Sequence, residues 1–88
     1  MQLMVAIVPN SGVEPAVSQL VQSGLRVTRL ASTGGFLRQG NTTLLVGVED
    51  DRVDEAIVAL REALERSGAE EQERSIVYVL GVSRYDQL

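Results

Sequence analysis

The sequence predicts an α+β fold of four strands and two helices in the order βαββαβ. Three observations predict it. Short β-rich apolar runs occur at residues 3–8, 25–32, 42–48 and 75–82; apolar residues recur at helical spacing in the first and third intervals; and glycines or turn clusters punctuate the boundaries.

The first strand is the continuous apolar run ending at Val8, stopped by the turn cluster Pro9, Asn10, Ser11 and Gly12. Val13, Ala16, Val17, Leu20 and Val21 then fall on one helical face, Pro15 suits a first turn, and Gly24 stands where a C-terminal cap belongs, so a helix is expected over about 13–23. The second strand carries Val27 and Leu30 on opposite parities, which predicts either a bulge or a change of exposure. Residues 33–40 form a glycine-rich connector to the third strand, its antiparallel neighbour. Glu49, Asp50 and Asp51 lead into a second helix over about 51–67, with Asp50 or Asp51 as N-cap and negative charge where the helix dipole favours it. Its stripe is Val53, Ala56, Ile57, Leu60 and Leu64, Arg61 and Arg66 lie toward its C-terminal end, and Gly68 closes it. A solvated link with Glu70, Glu71 and Glu73 precedes the last strand.

That order is the ferredoxin-like split βαβ, in which a four-stranded antiparallel sheet carries both helices on one face. The other face ordinarily meets water and is polar. Here Leu3, Val5 and Ile7 oppose Met4, Ala6 and Val8 in the first strand; Leu45 opposes Leu44, Val46 and Val48 in the third; and Ile76, Tyr78 and Leu80 oppose Val77 and Val79 in the fourth. Both faces are apolar. A lone chain would expose an apolar patch of interface size, so a homo-oligomer with packed sheets and a site between subunits is expected.

Composition narrows the chemistry. The 88 residues make one domain, 1–88, and with no cysteine the chain has neither disulfides nor thiolate–zinc staples. Without histidine or cysteine it lacks an imidazole base, a thiolate nucleophile and the usual zinc or copper ligands, so neither a catalytic site nor a metal cofactor is expected. A net charge of −4 and an aromatic share of 3% supply neither a basic stripe for phosphates nor a stacking platform, which argues against nucleic-acid polymers as partners. All basic residues are arginine, from which no function follows. The apolar start is too short for a spanning or signal segment and has no basic flank, so a cytoplasmic protein without membrane contact is expected.

The connector between the second and third strands is the segment suited to chemistry. Three glycines at 34, 35 and 40 permit positive φ and close backbone approach to a ligand, Thr33, Asn41, Thr42 and Thr43 offer hydroxyl and amide groups, and Phe36-Leu37 is an apolar pair in a polar loop. Glycine-loop N–H groups and an arginine can hold phosphate oxygens while an aromatic or leucyl side chain covers a purine. The same composition also fits a simple turn anchored by Phe36.

Residues 26–54, from Arg26-Val27-Thr28 through Thr33-Gly34-Gly35-Phe36-Leu37-Arg38-Gln39-Gly40-Asn41-Thr42-Thr43 to Val48-Glu49-Asp50-Asp51-Arg52-Val53-Asp54, strongly resemble the PII-like cyclic di-AMP receptors. The resemblance runs from residue 1 to about 66 and resumes at Val77-Tyr78-Val79-Leu80 and Tyr85-Asp86-Gln87-Leu88. It implies a homotrimer binding one cyclic di-AMP in each inter-subunit cleft, as a signal receptor without catalysis that acts on a downstream protein. By resemblance, Arg26, Val27 and Thr28 line the cleft, with Arg26 near a phosphate and Thr28 bonding the nucleotide. Gly35, Phe36 and Leu37 wrap one adenine, Asn41 bonds a base edge, Gly47 leaves room for a base, and Gln87 contacts the ligand.

The chain departs from the family in one long feature. Members usually carry an extended loop before the last strand, whereas residues 67–74 are all that connect the second helix to it here. Gly24 and Arg29 also stand where many members have asparagine and lysine, and arginine keeps the charge but not the geometry. A trimeric interaction module that binds another adenine nucleotide, or none, is therefore the alternative. A ferredoxin-like acyl-phosphate hydrolase would need an arginine in the loop after the first strand, and the sequence has none there.

Overall fold

The computed structural model of the protein describes residues 1–30, 40–68 and 75–83 together with Asp86. Its elements are β1 (Gln2–Pro9), a 3-10 turn (Asn10–Gly12), α1 (Val13–Gln22), β2 (Arg26–Leu30), β3 (Asn41–Val48), a second 3-10 turn (Asp50–Arg52), α2 (Val53–Ser67) and β4 (Ile76–Gly81). The fold is ferredoxin-like. All neighbouring strands are antiparallel in the order β2-β3-β1-β4.

β1 is central because its apolar residues occupy both faces and its ladder is filled on both sides. It pairs with β3 from Gln2↔Val48 to Pro9↔Asn41 and with β4 from Gln2↔Gly81 to Ile7↔Ile76. Met4, Ala6 and Val8 of β1 and Leu44, Val46 and Val48 of β3 point to the helices and are buried with Val13, Ala16 and Leu20 of α1 and Ala56, Ala59, Leu60 and Leu64 of α2. Small Ala56, Ala59 and Ala63 let α2 approach closely. Val21, on the expected stripe of α1, is 54% exposed instead, because the helix ends one residue later.

The helix ends follow backbone geometry more than side-chain caps. Gly68 closes α2 at φ 76° and Gly24 follows α1 at φ 84°, both in the left-handed region where glycine is unstrained. No side chain caps either helix start: Glu49 and Arg52 occupy the N-cap positions of the 3-10 turn and of α2, so neither Asp50 nor Asp51 is the N-cap. The acidic residues still lie in the first turns, where the helix dipole favours them. Asp50 instead takes the Met1 ammonium at 2.8 Å and accepts from Gln2 Nε2 at 3.2 Å. This pairing holds its carboxyl below the usual carboxylate range.

Arginines join the layers. Arg52 donates from Nη2 to the Ser23 carbonyl at the end of α1 (2.6 Å) and from Nε to Glu55 (2.7 Å). Arg66 reaches Gln19 Oε1 at 2.7 Å, and Arg29 of β2 pairs with Glu14 of α1 at 2.7 Å. That last pair lowers the Glu14 carboxyl.

β2 contains no bulge. Its register against β3 is continuous from Arg26↔Gly47 to Leu30↔Thr43, so the opposite parities of Val27 and Leu30 reflect a change of exposure. Val27 packs against the core, while Leu30 is exposed on the other face. No described helix is long and apolar enough to cross a membrane.

Leu44 is fully buried at the centre of this packing. Leu44→Ala should destabilise the fold by about 2–5 kcal/mol, read as a lower urea midpoint at unchanged slope.

Candidate functional site

The face of the sheet away from the helices is built in rows by the strand registers. One row reads Arg26, Gly47, Leu3 and Leu80; the next reads Thr28, Leu45, Val5 and Tyr78; the third reads Leu30, Thr43, Ile7 and Ile76. Strand alternation sends these side chains to one side. Tyr78 and Leu80 are both 52% exposed, so this face is apolar and uncovered in the single chain.

An open cavity of about 690 Å³ lies on this face where β1, β2 and β3 meet the turn into α2. Met1, Leu3, Leu45 and Val82 supply its apolar lining, and Arg26, Thr28 and Glu49 supply its charges and hydroxyl. Gly47 is its notch. Among the described residues a Cβ built there would meet one atom only, the Met1 Cε at 2.8 Å, so the strand backbone itself leaves room for a substituent.

Arg26 is the chemically distinctive group. Among the described residues Arg29 and Arg52 are ion-paired and Arg66 is bonded to Gln19, whereas Arg26 and Arg61 have no hydrogen bond or ion pair, and of these two Arg26 faces the cavity. A guanidinium without a partner beside a hydroxyl and an apolar floor suits an anion carrying a flat apolar group. Glu49, across the same cavity, can accept a hydrogen bond from a donor on such a group.

The sequence-predicted residues distribute unevenly over this geometry. Arg26, Thr28 and Gly47 come together in the cavity. Val27 does not: its side chain lies on the opposite face against the core, because β2 runs straight and neighbouring residues alternate, leaving only its backbone on offer. Asn41 begins β3, six residues from Gly47 and therefore roughly 20 Å along the strand. Gly35, Phe36, Leu37 and Gln87 lie outside the described residues.

Gly40, just before β3, is held by Asn10. Asn10 N–H donates to the Gly40 carbonyl (2.8 Å), Thr42 Oγ1 donates to Asn10 Oδ1 (2.6 Å), and Gly40 has φ 93°. Asn10 thus anchors the start of β3, a role the turn cluster alone does not reveal. Met1, Glu49 and Val82 are further cavity residues that sequence reading does not single out, since they join it only through register and through the Val82 N–H donating to the Met1 carbonyl (3.0 Å).

Fold and cavity together define a small α+β protein with an open recess on the apolar face of its sheet. Over residues 1–77 the chain matches the cyclic-di-AMP receptor family, and it belongs to that family. It is also similar to the crystal structure of a functionally unknown protein from Pediococcus pentosaceus ATCC 25745. The TM-score is 0.72 and the identity 28%, over 99% of this chain and 96% of that one.

Because Arg26 has no partner in the fold, Arg26→Gln should leave the urea unfolding free energy within about 0.5 kcal/mol of the parent. A larger loss would show that the guanidinium serves the fold.

Proposed function

We propose that the protein is a non-enzymatic receptor that binds cyclic di-AMP in clefts between the subunits of a homotrimer and transmits occupancy to a protein partner. The observation that carries this reading is the unpartnered Arg26 beside Thr28 and the Gly47 notch, in a chain of the cyclic-di-AMP receptor family. Arg26 would take a phosphate, Thr28 would bond the nucleotide, and the notch would admit the edge of a base. Asn41 and the connector residues Gly35, Phe36 and Leu37 would hold an adenine, and Gln87 would close the site from the tail.

The same face supports a trimer. Exposed Leu30, Ile76, Tyr78 and Leu80 continue an apolar surface across three rows, and packing against equivalent sheets would remove it from water. The cavity is open on the side away from its own sheet, so a neighbouring subunit would complete its wall. Binding would act by favouring one state of the assembly over another, which the ligand can do only through its differential affinity for the two.

One observation favours a second reading. Only residues 67–74 join α2 to the last strand, so a rim that longer members possess is absent from the sequence. A trimeric module that holds another adenine nucleotide, or none, would have this form.

Calorimetry with cyclic di-AMP, ATP, AMP and cyclic di-GMP, with the oligomer mass measured on the same sample, separates the two. The receptor reading expects selective, saturable binding near one cyclic di-AMP per subunit of a trimer, and about 2.7 kcal/mol of added stability at 100 times the dissociation constant. No heat and no thermal shift with any nucleotide would leave the interaction module.

Two substitutions locate the site. Asn41→Ala should weaken cyclic di-AMP binding by about 1–3 kcal/mol while the oligomer survives, and loss of assembly with unchanged affinity per intact oligomer would make Asn41 structural. Gly47→Val should fill the notch and abolish measurable binding; unchanged affinity would remove Gly47 from the site.

A further inference from the structure

We propose that the Met1 side chain is a displaceable plug of the open-face cavity, holding the space over Gly47 that a ligand must enter. The proposal rests on the receptor reading and adds to it an intramolecular competitor.

Gly47 lies mid-strand with ordinary extended-strand pairing on both sides, to Leu3 and to Arg26. Its φ is not in the left-handed region, so the backbone does not require glycine there. Neither does the packing of the fold: among the described residues beyond its chain neighbours, only the Met1 Cε comes within 4 Å of the Cβ position. The room that glycine leaves is therefore used by one methyl group, at the end of an unbranched side chain with three freely rotating bonds.

The anchoring of Met1 makes this a hinge-like arrangement. Its carbonyl accepts from Val82 N–H at 3.0 Å, which fixes the backbone beside the cavity, while the residue as a whole remains 43% exposed. The side chain is thus tethered at its root and partly open to water. It can leave the notch by rotation about its own side-chain bonds, without breaking a strand hydrogen bond. Nothing in the core depends on it, since the buried methionine is Met4.

Such a plug acts through population. A ligand that needs the notch binds only the plug-out form, and its apparent affinity falls by the fraction of molecules in that form. With the methyl seated in about nine of ten molecules the reduction is about tenfold. The plug would penalise only ligands that fill the notch, so that a nucleotide contacting only Arg26 and Thr28 would be insensitive to it.

The test uses the full chain with Met1→Ala, prepared by cleaving a fusion immediately before position 1, titrated with cyclic di-AMP beside the parent. The plug predicts about tenfold tighter binding by the variant. In the parent carrying ¹³C-methyl methionine, it also predicts that the Met1 methyl signal moves toward its solvent-exposed position on saturation while that of Met4 stays. Equal or weaker binding by Met1→Ala overturns the plug, and weaker binding makes Met1 a contact of the ligand. Absence of binding by both proteins overturns the receptor reading and the plug together, an outcome distinct from equal binding, which overturns the plug alone.

Discussion

The structure depends on a sheet whose central strand is apolar on both faces. β1 is bonded along one edge to β3 and along the other to β4, so its position is fixed by backbone pairing and both sides of its side-chain ladder must find a place. α1 and α2 cover one side completely: Met4, Ala6 and Val8 are each 0% exposed. Leu3, Val5 and Ile7 have no helix above them. The conflict is local to the single chain, because hydrophobic burial scales with area removed from water and nothing in the chain's described part removes this area. In the receptor reading, copies of the same chain would supply the second layer, so that assembly and ligand binding belong to one surface.

Register then turns that surface into a site. Since β2 pairs with β3 and β3 with β1, Arg26, Gly47 and Leu3 fall in a single row, with the residue lacking a side chain between a cation and an apolar neighbour. A one-residue slip of β2 would exchange Arg26 and Thr28 for Val27 and Arg29, placing an apolar residue and an ion-paired arginine over the cavity. The Arg29–Glu14 pair and Val27's packing resist that slip from the helix side. Arg29, Arg52 and Arg66 find carboxylate, carbonyl or amide partners around the helices, whereas Arg26 on the open side and Arg61 of α2 do not.

Much of this was legible in the sequence. The period of the apolar residues located every strand and helix to within about two residues, and the alternation within β1, β3 and β4 showed both faces to be apolar without telling which one the helices cover. The glycines that close the helices announced themselves because left-handed φ is costly for other residues. Less accessible were features that depend on pairing between distant segments. Val27 sits between Arg26 and Thr28 in the chain, yet strand alternation sends it to the core. Asp50 had the composition of an N-cap but was drawn to Met1 and Gln2, which approach only because β1 ends beside the turn into α2. Glu49, Val82 and Met1 carry no motif at all, and their place around the cavity exists only once three strands are in register.

The spread of the family-type residues along β3 bears on what kind of ligand the receptor reading requires. Gly47 and Asn41 point to the same face but stand roughly 20 Å apart, with Leu45 and Thr43 between them. A small base seated in the Gly47 notch cannot also reach Asn41 of the same strand. If both contact one nucleotide, either the ligand is extended along the strand or the two residues come from different subunits that meet over it. The first demands an elongated molecule with a recognisable group at each end, which a dinucleotide supplies and a mononucleotide does not. The second demands that sheets pack face to face, which the uncovered rows from Leu3 to Ile76 favour independently. Both routes lead away from a compact pocket within one chain and toward a ligand whose two ends are read separately.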